Sequence, residues 1–282
     1  MSPRATRVCS EHGLAYDESV SEGCVLCRRS KPAAMTAGAA STPRASLSLG
    51  KIALVVALCC AIAGGAMFYR RRRSDDAGRT IPIVAHTLGG RTGVAYLPAG
   101  YRAGPLLVWL HGSGEHASRL VLRLAPFADR NGFALLVPDS GSAFGWQLSD
   151  RPGERTADQQ HVMDCIDELF ARPDFEFDRS QVLVAGFSAG GSSAPALASR
   201  EEPFTAFAIL HGGLVANTIG GRRVRGWLST GQSDPVRGPT ELNQTASSLR
   251  GQGFTELEVQ TFSGAHMLFD PEIEAMLRWW LD

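Results

Sequence analysis

The sequence predicts an α/β fold over residues 81–282, in which helices cover both faces of a mostly parallel β-sheet. Two observations lead to this prediction: short apolar runs recur along the region, and amphipathic helical patterns separate them. A continuous apolar run is typical of a parallel strand that is buried on both faces. Regular alternation of such strands with helices is typical of βα units, so we expect this region to form one domain.

The predicted elements follow one another in a simple order. A strand pair is predicted at 81–88 and 93–98, with Gly89-Gly90 in the turn. Further strands are predicted at 105–112, 133–139, 181–187, 204–212, 224–234 and 256–262, and helices at 118–131, 156–172, 190–200, 240–251 and 271–281. Ligands bind at the carboxyl ends of the strands in such sheets, so functional side chains are expected in the loops that follow them.

The first 80 residues differ in composition and fall into four predicted segments. These are a cysteine- and histidine-containing module at 1–30, a flexible linker at 31–50, a transmembrane helix at 51–70 and a basic juxtamembrane segment at 71–80. The full chain has 282 residues, with 28 Lys and Arg against 28 Asp and Glu. This balance lacks the basic excess that is typical of a nucleic-acid partner, so none is expected.

An uncharged run at 52–69 predicts a single membrane-spanning helix. At a rise of about 1.5 Å per residue, its length comes to roughly 27 Å, close to the hydrocarbon thickness of a bilayer. A buried core helix is the alternative. Four arginines at 70–73 favour a cytoplasmic position for the domain that follows. Metal-binding thiols in the N-terminal module would instead favour that module in the reducing compartment, so the orientation stays open.

Two pairs of candidate metal ligands lie in the N-terminal module, Cys9 with His12 and Cys24 with Cys27. Two residues separate the members of each pair, a spacing that places both ligands on one tight turn. Two such turns complete a tetrahedral zinc site, and the pattern resembles a zinc ribbon. Four protein ligands leave no open position, so zinc is expected to be structural and no cofactor is expected in catalysis. A disulfide-linked or disordered tail is the alternative.

The pentapeptide from Gly186 to Gly190 fits the pattern G-x-S-x-G, with Ser188 at its centre. It follows a predicted buried strand and precedes a predicted helix, which is the context in which the serine occupies a sharp, strained turn. The glycines on either side prevent side-chain clashes at that turn. The motif predicts that Ser188 is a nucleophile; an ordinary strand–helix turn is the alternative.

A serine needs a base to act as a nucleophile at neutral pH, and the base needs an acid to orient it. His266 follows the last predicted strand, and Asp234 ends the strand before that one. We therefore predict that His266 is the base and Asp234 the acid. His116 and His211 lie near the same sheet edge and are expected to be bystanders. A turn aspartate before Pro235 is the alternative interpretation of Asp234.

An oxyanion intermediate requires fixed N–H donors. The backbone N–H of Ala189, directly after the nucleophile, is one candidate. The second is expected from the small residues that follow the strand at 105–112, with Ser113 as first choice and Gly112 as second. An ordinary glycine turn is the alternative here. His111 and Trp146 are the predicted substrate-pocket residues, although Trp146 is equally consistent with loop packing.

Five motifs occur in an order that resembles the α/β-hydrolase superfamily, and within it the polyhydroxybutyrate depolymerases, feruloyl esterases and phospholipase/carboxylesterases. They are Leu110-His111-Gly112, Val137-Pro138-Asp139, residues 186–191, residues 231–234 and Gly264-Ala265-His266. The resemblance spans residues 80–282, and the order Ser188, Asp234, His266 is that of the superfamily. It implies hydrolysis of an ester through an acyl-enzyme.

The sequence therefore predicts a membrane-anchored serine hydrolase that acts on a small-molecule ester or another acyl substrate. A serine peptidase or a thioesterase with the same triad is an alternative, because the motifs do not distinguish the groups that are cleaved. A third hypothesis is a non-catalytic membrane sensor with a degenerate hydrolase domain. The oligomeric state is not predicted.

Overall fold

The computed structural model describes residues 6–8, 15–17, 78–83, 91–148, 151, 154–213 and 221–282. The chain forms two units, Met1–Ala61 and Ile62–Asp282. The predicted linker and the predicted transmembrane helix at 51–70 lie outside the described residues. Within the ranges that are described, no helix has the length and apolar character needed to cross a bilayer.

The N-terminal unit contains two short strands, β1 (Thr6–Val8) and β2 (Ala15–Asp17), which pair antiparallel. The connection between them contains two of the predicted zinc ligands, Cys9 and His12. These two residues, together with Cys24 and Cys27, lie outside the described residues. The zinc site therefore stays a prediction.

The second unit is built on a sheet of eight strands. They are β3 (Arg79–Ile83), β4 (Gly93–Leu97), β5 (Ala103–Leu110), β6 (Ala134–Pro138), β7 (Glu176–Phe187), β8 (Ala206–Leu210), β9 (Arg225–Gly231) and β10 (Leu257–Phe262). Their spatial order is β10-β9-β8-β7-β5-β6-β4-β3. Pairing is antiparallel at β3–β4 and β4–β6 and parallel at the other five contacts, which confirms the predicted mostly parallel sheet.

In the described part of this unit, five helices cover the two faces of the sheet. They are α1 (Ala117–Asn131), α2 (Ala157–Phe170), α3 (Ala189–Arg200), α4 (Pro239–Gly251) and α5 (Asp270–Leu281). Buried side chains of α2, α3 and α4 belong to one apolar cluster, and those of α1 and α5 belong to the other. The predicted arrangement, with helices on both faces, is confirmed.

The apolar run of β5 is continuous because both faces of this strand are covered. Leu106, Val108 and Leu110 belong to one cluster, whereas Leu107 and Trp109 belong to the other. Successive side chains of a strand point to opposite faces, so a strand covered on both sides needs apolar residues at every position. Each of these five side chains is buried. The end of β5 is therefore held beside the end of its neighbour β7, where the site lies.

The largest difference from the sequence prediction is in β7, which begins at Glu176 and not at residue 181. The added segment is mostly exposed and polar, so it gives no apolar signal. It is nevertheless paired, because Glu176 and Phe177 lie opposite Ala103 and Gly104 of β5, beyond a register shift.

Candidate active site

The loops after β7, β9 and β10 bring three predicted side chains to one edge of the sheet. Ser188 follows β7, Asp234 follows β9 and His266 follows β10. The three strands run parallel, so their carboxyl ends lie on the same side of the sheet. The structure therefore brings together residues that are separated by up to 78 positions in the chain.

Ser188 occupies a sharp turn between β7 and α3. Its backbone has φ 54° and ψ −114°, a conformation that is uncommon for a residue with a side chain. A Cβ atom at Gly190 would lie 2.0 Å from the carbonyl oxygen of Leu110, and one at Gly186 would lie 2.4 Å from the backbone of Gly190. The turn therefore requires glycine at both positions, and the strain expected at Ser188 from the motif is present.

A continuous chain of hydrogen bonds joins the three side chains. Ser188 Oγ lies 3.0 Å from His266 Nε2, and His266 Nδ1 lies 2.8 Å from Asp234 Oδ2. An ionised carboxylate only accepts hydrogen bonds, so Nδ1 carries the proton and Nε2 has a free lone pair. The hydroxyl of Ser188 can then donate to His266. This is the arrangement in which imidazole removes a proton from serine.

Asp234 is held in place on both carboxylate oxygens. Oδ1 accepts the backbone N–H groups of Val236 and Arg237, at 2.7 and 2.8 Å. Burial favours the neutral form of Asp234, but these backbone bonds and the imidazole N–H groups on Oδ2 outweigh it and hold the pKa well below its ordinary value. The side chain is therefore an anion at neutral pH, as the proposed role of an orienting acid requires.

A second histidine, which the sequence had indicated only as a bystander, lies on the same carboxylate. His211 Nδ1 lies 2.6 Å from Asp234 Oδ2, and His211 Nε2 lies 3.2 Å from Glu272 Oε2. All three side chains are fully buried. His211 ends the apolar run of β8 and has a positive φ of 53°. Its position after a strand was a signal, but no sequence motif linked it to Asp234.

Two candidate oxyanion donors have no hydrogen-bond partner among the described residues. They are the N–H groups of Ala189, at the first position of α3, and of the exposed Ser113. The N–H of Gly112 is different, because it donates to Glu115 Oε2 at 2.7 Å. Of the two alternatives in this loop, Ser113 is therefore the one with an available donor.

His111 belongs to the framework of the site. Its buried ring lies 2.8 Å from the carbonyl oxygen of Gly112 through Nδ1, and Nε2 accepts the N–H of Ser140 at 3.0 Å. The carbonyl oxygen of His111 accepts Trp146 Nε1 at 3.0 Å. His111, which the sequence placed in the substrate pocket, thus ties two loops together and lines neither of the clefts described below.

Two clefts border the turn that holds Ser188. One cleft, of about 500 Å³, is lined by Phe187, His266, Met267 and Leu268 together with residues of α1 and the loop before it. The other, of about 530 Å³, is lined by Ala189 and Ser192 of α3, Arg237 and the loop that carries Trp146. Trp146 therefore lies where the sequence analysis expected a pocket residue, while its indole N–H also fastens the loop.

His211, Asp234 and His266 also form a group in which one ligand atom from each lies within 4.8 Å of the others, a spacing that suits a metal ion. In this structure, however, these atoms form hydrogen bonds with one another. Both histidine Nδ1 atoms point at Asp234 Oδ2, which requires a proton between each nitrogen and the oxygen. The observed geometry therefore fits proton transfer better than metal coordination.

A family model agrees with the sequence motifs. Residues 92–227 match the model described as "Esterase PHB depolymerase". The matched range contains Ser188 and ends before Asp234 and His266. No curated protein matches the sequence.

Solved structures with the same fold have low sequence identity to the chain. A fluorophosphonate-binding serine hydrolase from Staphylococcus aureus is 13% identical, with a TM-score of 0.57 over 73% of this chain and 98% of that chain. An S-formylglutathione hydrolase from Agrobacterium tumefaciens is 15% identical, with a TM-score of 0.56 over 72% and 94%. A ferulic acid esterase is 14% identical, with a TM-score of 0.54 over 73% and 97%. The second unit of the chain has the α/β-hydrolase fold.

Proposed function

We propose that the domain is a serine hydrolase that cleaves carboxylic esters through an acyl-enzyme. The observation that carries this proposal is the hydrogen-bond chain from Ser188 Oγ through His266 to Asp234 at the carboxyl edge of the sheet. The match of residues 92–227 to an esterase family model supports the same class of reaction.

Acylation begins when Ser188 Oγ attacks the carbonyl carbon of the ester and its proton passes to His266 Nε2. Asp234 stabilises the imidazolium that forms and keeps the ring in the required orientation. Negative charge develops on the carbonyl oxygen, and the N–H groups of Ala189 and Ser113 are the donors that would stabilise it. When the intermediate collapses, the alcohol leaves with the proton from His266, and the acyl group remains on Ser188.

Deacylation uses the same groups in reverse. His266 Nε2 takes a proton from water as the water oxygen attacks the acyl carbon. The carboxylic acid is released, and Ser188 Oγ recovers the proton from His266. Both half-reactions need space on the two sides of the nucleophile, and the two clefts beside Ser188 provide it for the acyl and alcohol parts of the substrate.

A thioester is the second candidate substrate. The observation that favours it is the fold shared with an S-formylglutathione hydrolase from Agrobacterium tumefaciens. The same proton transfers would release a thiol in place of an alcohol. Comparing kcat/KM for esters and thioesters with the same acyl group separates the two proposals.

The experiment that tests the proposed function compares wild type with Ser188→Ala on p-nitrophenyl esters of increasing acyl length. We expect turnover in the wild type and a loss of about 10⁴-fold or more in the variant, because the nucleophile is absent. Ser247→Ala is the matched control, since Ser247 is exposed on α4 and lines neither cleft. Equal turnover in wild type and Ser188→Ala would refute the proposal.

We also propose, from the sequence, that a helix at 51–70 anchors the protein in a membrane. Wild type should remain with membranes after carbonate extraction. Leu58→Arg with Ala61→Arg should release it, because each arginine near the centre of the run costs about 3 kcal/mol in a bilayer. Release of the wild type would contradict this anchor.

A structural zinc ion on Cys9, His12, Cys24 and Cys27 is a separate proposal from the sequence. Elemental analysis of the purified full chain should find zinc at about one equivalent, which Cys24→Ser with Cys27→Ser should abolish. Absence of zinc from wild type purified without chelators would contradict this site.

A further inference from the structure

His211 and Glu272 extend the site inward from Asp234. The same oxygen, Asp234 Oδ2, lies 2.8 Å from Nδ1 of His266 and 2.6 Å from Nδ1 of His211. A carboxylate oxygen has two lone pairs, so the two imidazole N–H groups saturate it. The hydroxyl of Thr230 has two acceptors within reach, Asp234 Oδ2 at 3.2 Å and the closer carbonyl oxygen of Arg237, so the two histidines are the nearest donors to Oδ2.

The contact between His211 and Glu272 fixes the number of protons in the cluster. His211 Nε2 and Glu272 Oε2 are 3.2 Å apart and fully buried, and a nitrogen lone pair facing a carboxylate oxygen would be repulsive. One proton must therefore lie between them, on either the imidazole or the carboxyl group. With Asp234 ionised, the three groups together carry one negative charge in either case.

Several contacts favour the proton on the imidazole. The titratable groups that face His211 are Asp234, Glu272 and the ring of His266, whose centroid is 5.5 Å away. Glu272 lies in the first turn of α5, where the helix dipole favours a negative charge. Burial opposes a charge on His211, but the hydrogen bond and charge of Glu272, reinforced by Asp234, raise its pKa above the ordinary value.

We propose that His211 and Glu272 are positioning residues for the proposed hydrolase: a buried imidazolium, paired with Glu272, holds Asp234 toward His266 and adds a positive charge behind the catalytic base. This inference depends on the proposed function, since it assigns His266 as the base. His211 prevents rotation of the Asp234 carboxylate by occupying its oxygen.

Glu272→Gln is the decisive variant because it keeps the shape of the side chain. The glutamine amide can donate to His211 Nε2, so His211 becomes neutral while its Nδ1–H still binds Asp234. The acid-side midpoint of the kcat/KM profile for p-nitrophenyl acetate should then move up by at most about one pH unit. Loss of the positive charge 5.5 Å from the His266 ring would alone give about two units at an effective dielectric constant of about 20, and loss of the Glu272 negative charge on the other ring nitrogen of His211 offsets part of this.

Glu274→Gln is the matched control, because Glu274 lies on the same helix, is about half exposed and pairs with Arg130 on the surface. Its profile should coincide with that of the wild type. A purely structural role for Glu272 would lower the rate without moving the midpoint. An unmoved midpoint in Glu272→Gln, or one that moves to lower pH, would overturn the proposal.

The protonation state can also be read without turnover. In ¹⁵N-histidine-labelled full-length protein, His211 should have protons on both ring nitrogens at neutral pH, and its signals can be assigned as those lost in His211→Asn. One protonated nitrogen in the wild type would overturn the proposal, even if Glu272→Gln fails to fold. If wild type shows neither ester turnover nor labelling at Ser188, the proposed function fails, whereas this spectrum still decides the charge of His211.

Discussion

The carboxylate of Asp234 lies 2.8 Å from the Nδ1 atom of His266, and the two side chains come from the loops after neighbouring strands. The strands β9 and β10 pair in parallel up to Gly231 and Phe262, so the loops that follow them start side by side. A second link joins these loops, because the N–H of Ser233 donates to the carbonyl oxygen of Gly264 at 2.8 Å. The orientation of the base thus depends on backbone pairing as well as on one side-chain hydrogen bond.

Asp234→Asn is predicted to impair the chemical step much more than substrate binding. An asparagine cannot supply the charge that stabilises the imidazolium, and its amide group can hold His266 in the wrong tautomer. We expect kcat to fall by about 10⁴-fold while KM changes little, which steady-state kinetics on p-nitrophenyl esters would measure. Asp167→Asn, an exposed change on α2, is the control. A kcat within a few-fold of wild type would exclude Asp234 as the orienting acid.

Acidification is predicted to destabilise the domain through Asp234. Its folded-state pKa lies below the ordinary value of 3.8, so its contribution to stability is complete above that ordinary value and is lost as the pH falls toward the folded-state pKa. The free energy of unfolding in urea should therefore decrease between about pH 5 and pH 2. Asp234→Asn should have a shallower dependence over this range. Identical slopes for the two proteins would count against the assigned hydrogen bonds.

Gly190→Ala is predicted to disrupt the turn at Ser188. Its Cβ would lie 2.0 Å from the carbonyl oxygen of Leu110, a backbone atom that cannot move without shifting β5. We expect a loss of about 3 kcal/mol or more of stability, measured by urea denaturation. Gly251→Ala is the matched control, because no atom lies within 4 Å of its Cβ position in the last turn of α4. That variant should be neutral or stabilised by up to about 1 kcal/mol. Equal stability of the two variants would contradict the packing described for the turn.

Asp158 is predicted to hold in place the loop that forms one wall of the cleft lined by Trp146. This buried carboxylate accepts the N–H groups of Gly141 and Gln147 at 2.9 and 2.7 Å and pairs with Arg91. Asp158→Asn removes a charge from this buried pair, which should cost about 2 kcal/mol and loosen the loop. We expect KM for esters to rise more than kcat falls. A change in kcat alone, with KM at the wild-type value, would argue that this loop does not contact the substrate.

Cys165 is predicted to be unreactive in the folded domain. Burial of its thiol, together with nearby carboxylates, raises the pKa to about 12, and the thiolate is the reactive form. At about pH 8, iodoacetamide should modify Cys165 only after unfolding in urea, as followed by peptide mapping. Rapid alkylation under native conditions would mean that this part of the core opens far more readily than the burial of Cys165 in the apolar cluster implies.

The sequence predicted much of the fold because its strong signals are local. Buried parallel strands such as 105–110 are continuous apolar runs, and the serine turn has glycines at fixed positions. The start of β7 was missed, since residues 176–180 are mostly polar and exposed and only Glu176 and Phe177 of this segment pair with β5. The spatial order of the strands required the structure, because sequence patterns identify strands and not their neighbours.

Part of the candidate site was predicted because its sequence signals are also local. Ser188, Asp234 and His266 each follow a strand, which placed them at one edge before any geometry was known. His211 was expected to be a bystander, because its link to Asp234 and Glu272 is made only by tertiary packing. Ser113 was the first choice of donor by sequence and Gly112 the second, and the contact of Glu115 with the Gly112 N–H separates them in the structure.

The most direct test of the central claim is fluorophosphonate labelling followed by peptide mapping. A reagent of this kind phosphonylates a serine only when a base has activated it. We expect one labelled residue, Ser188, with labelling lost in Ser188→Ala and slowed by about 10³-fold or more in His266→Ala. Labelling at a different serine, or none on a folded wild-type protein, would contradict the account.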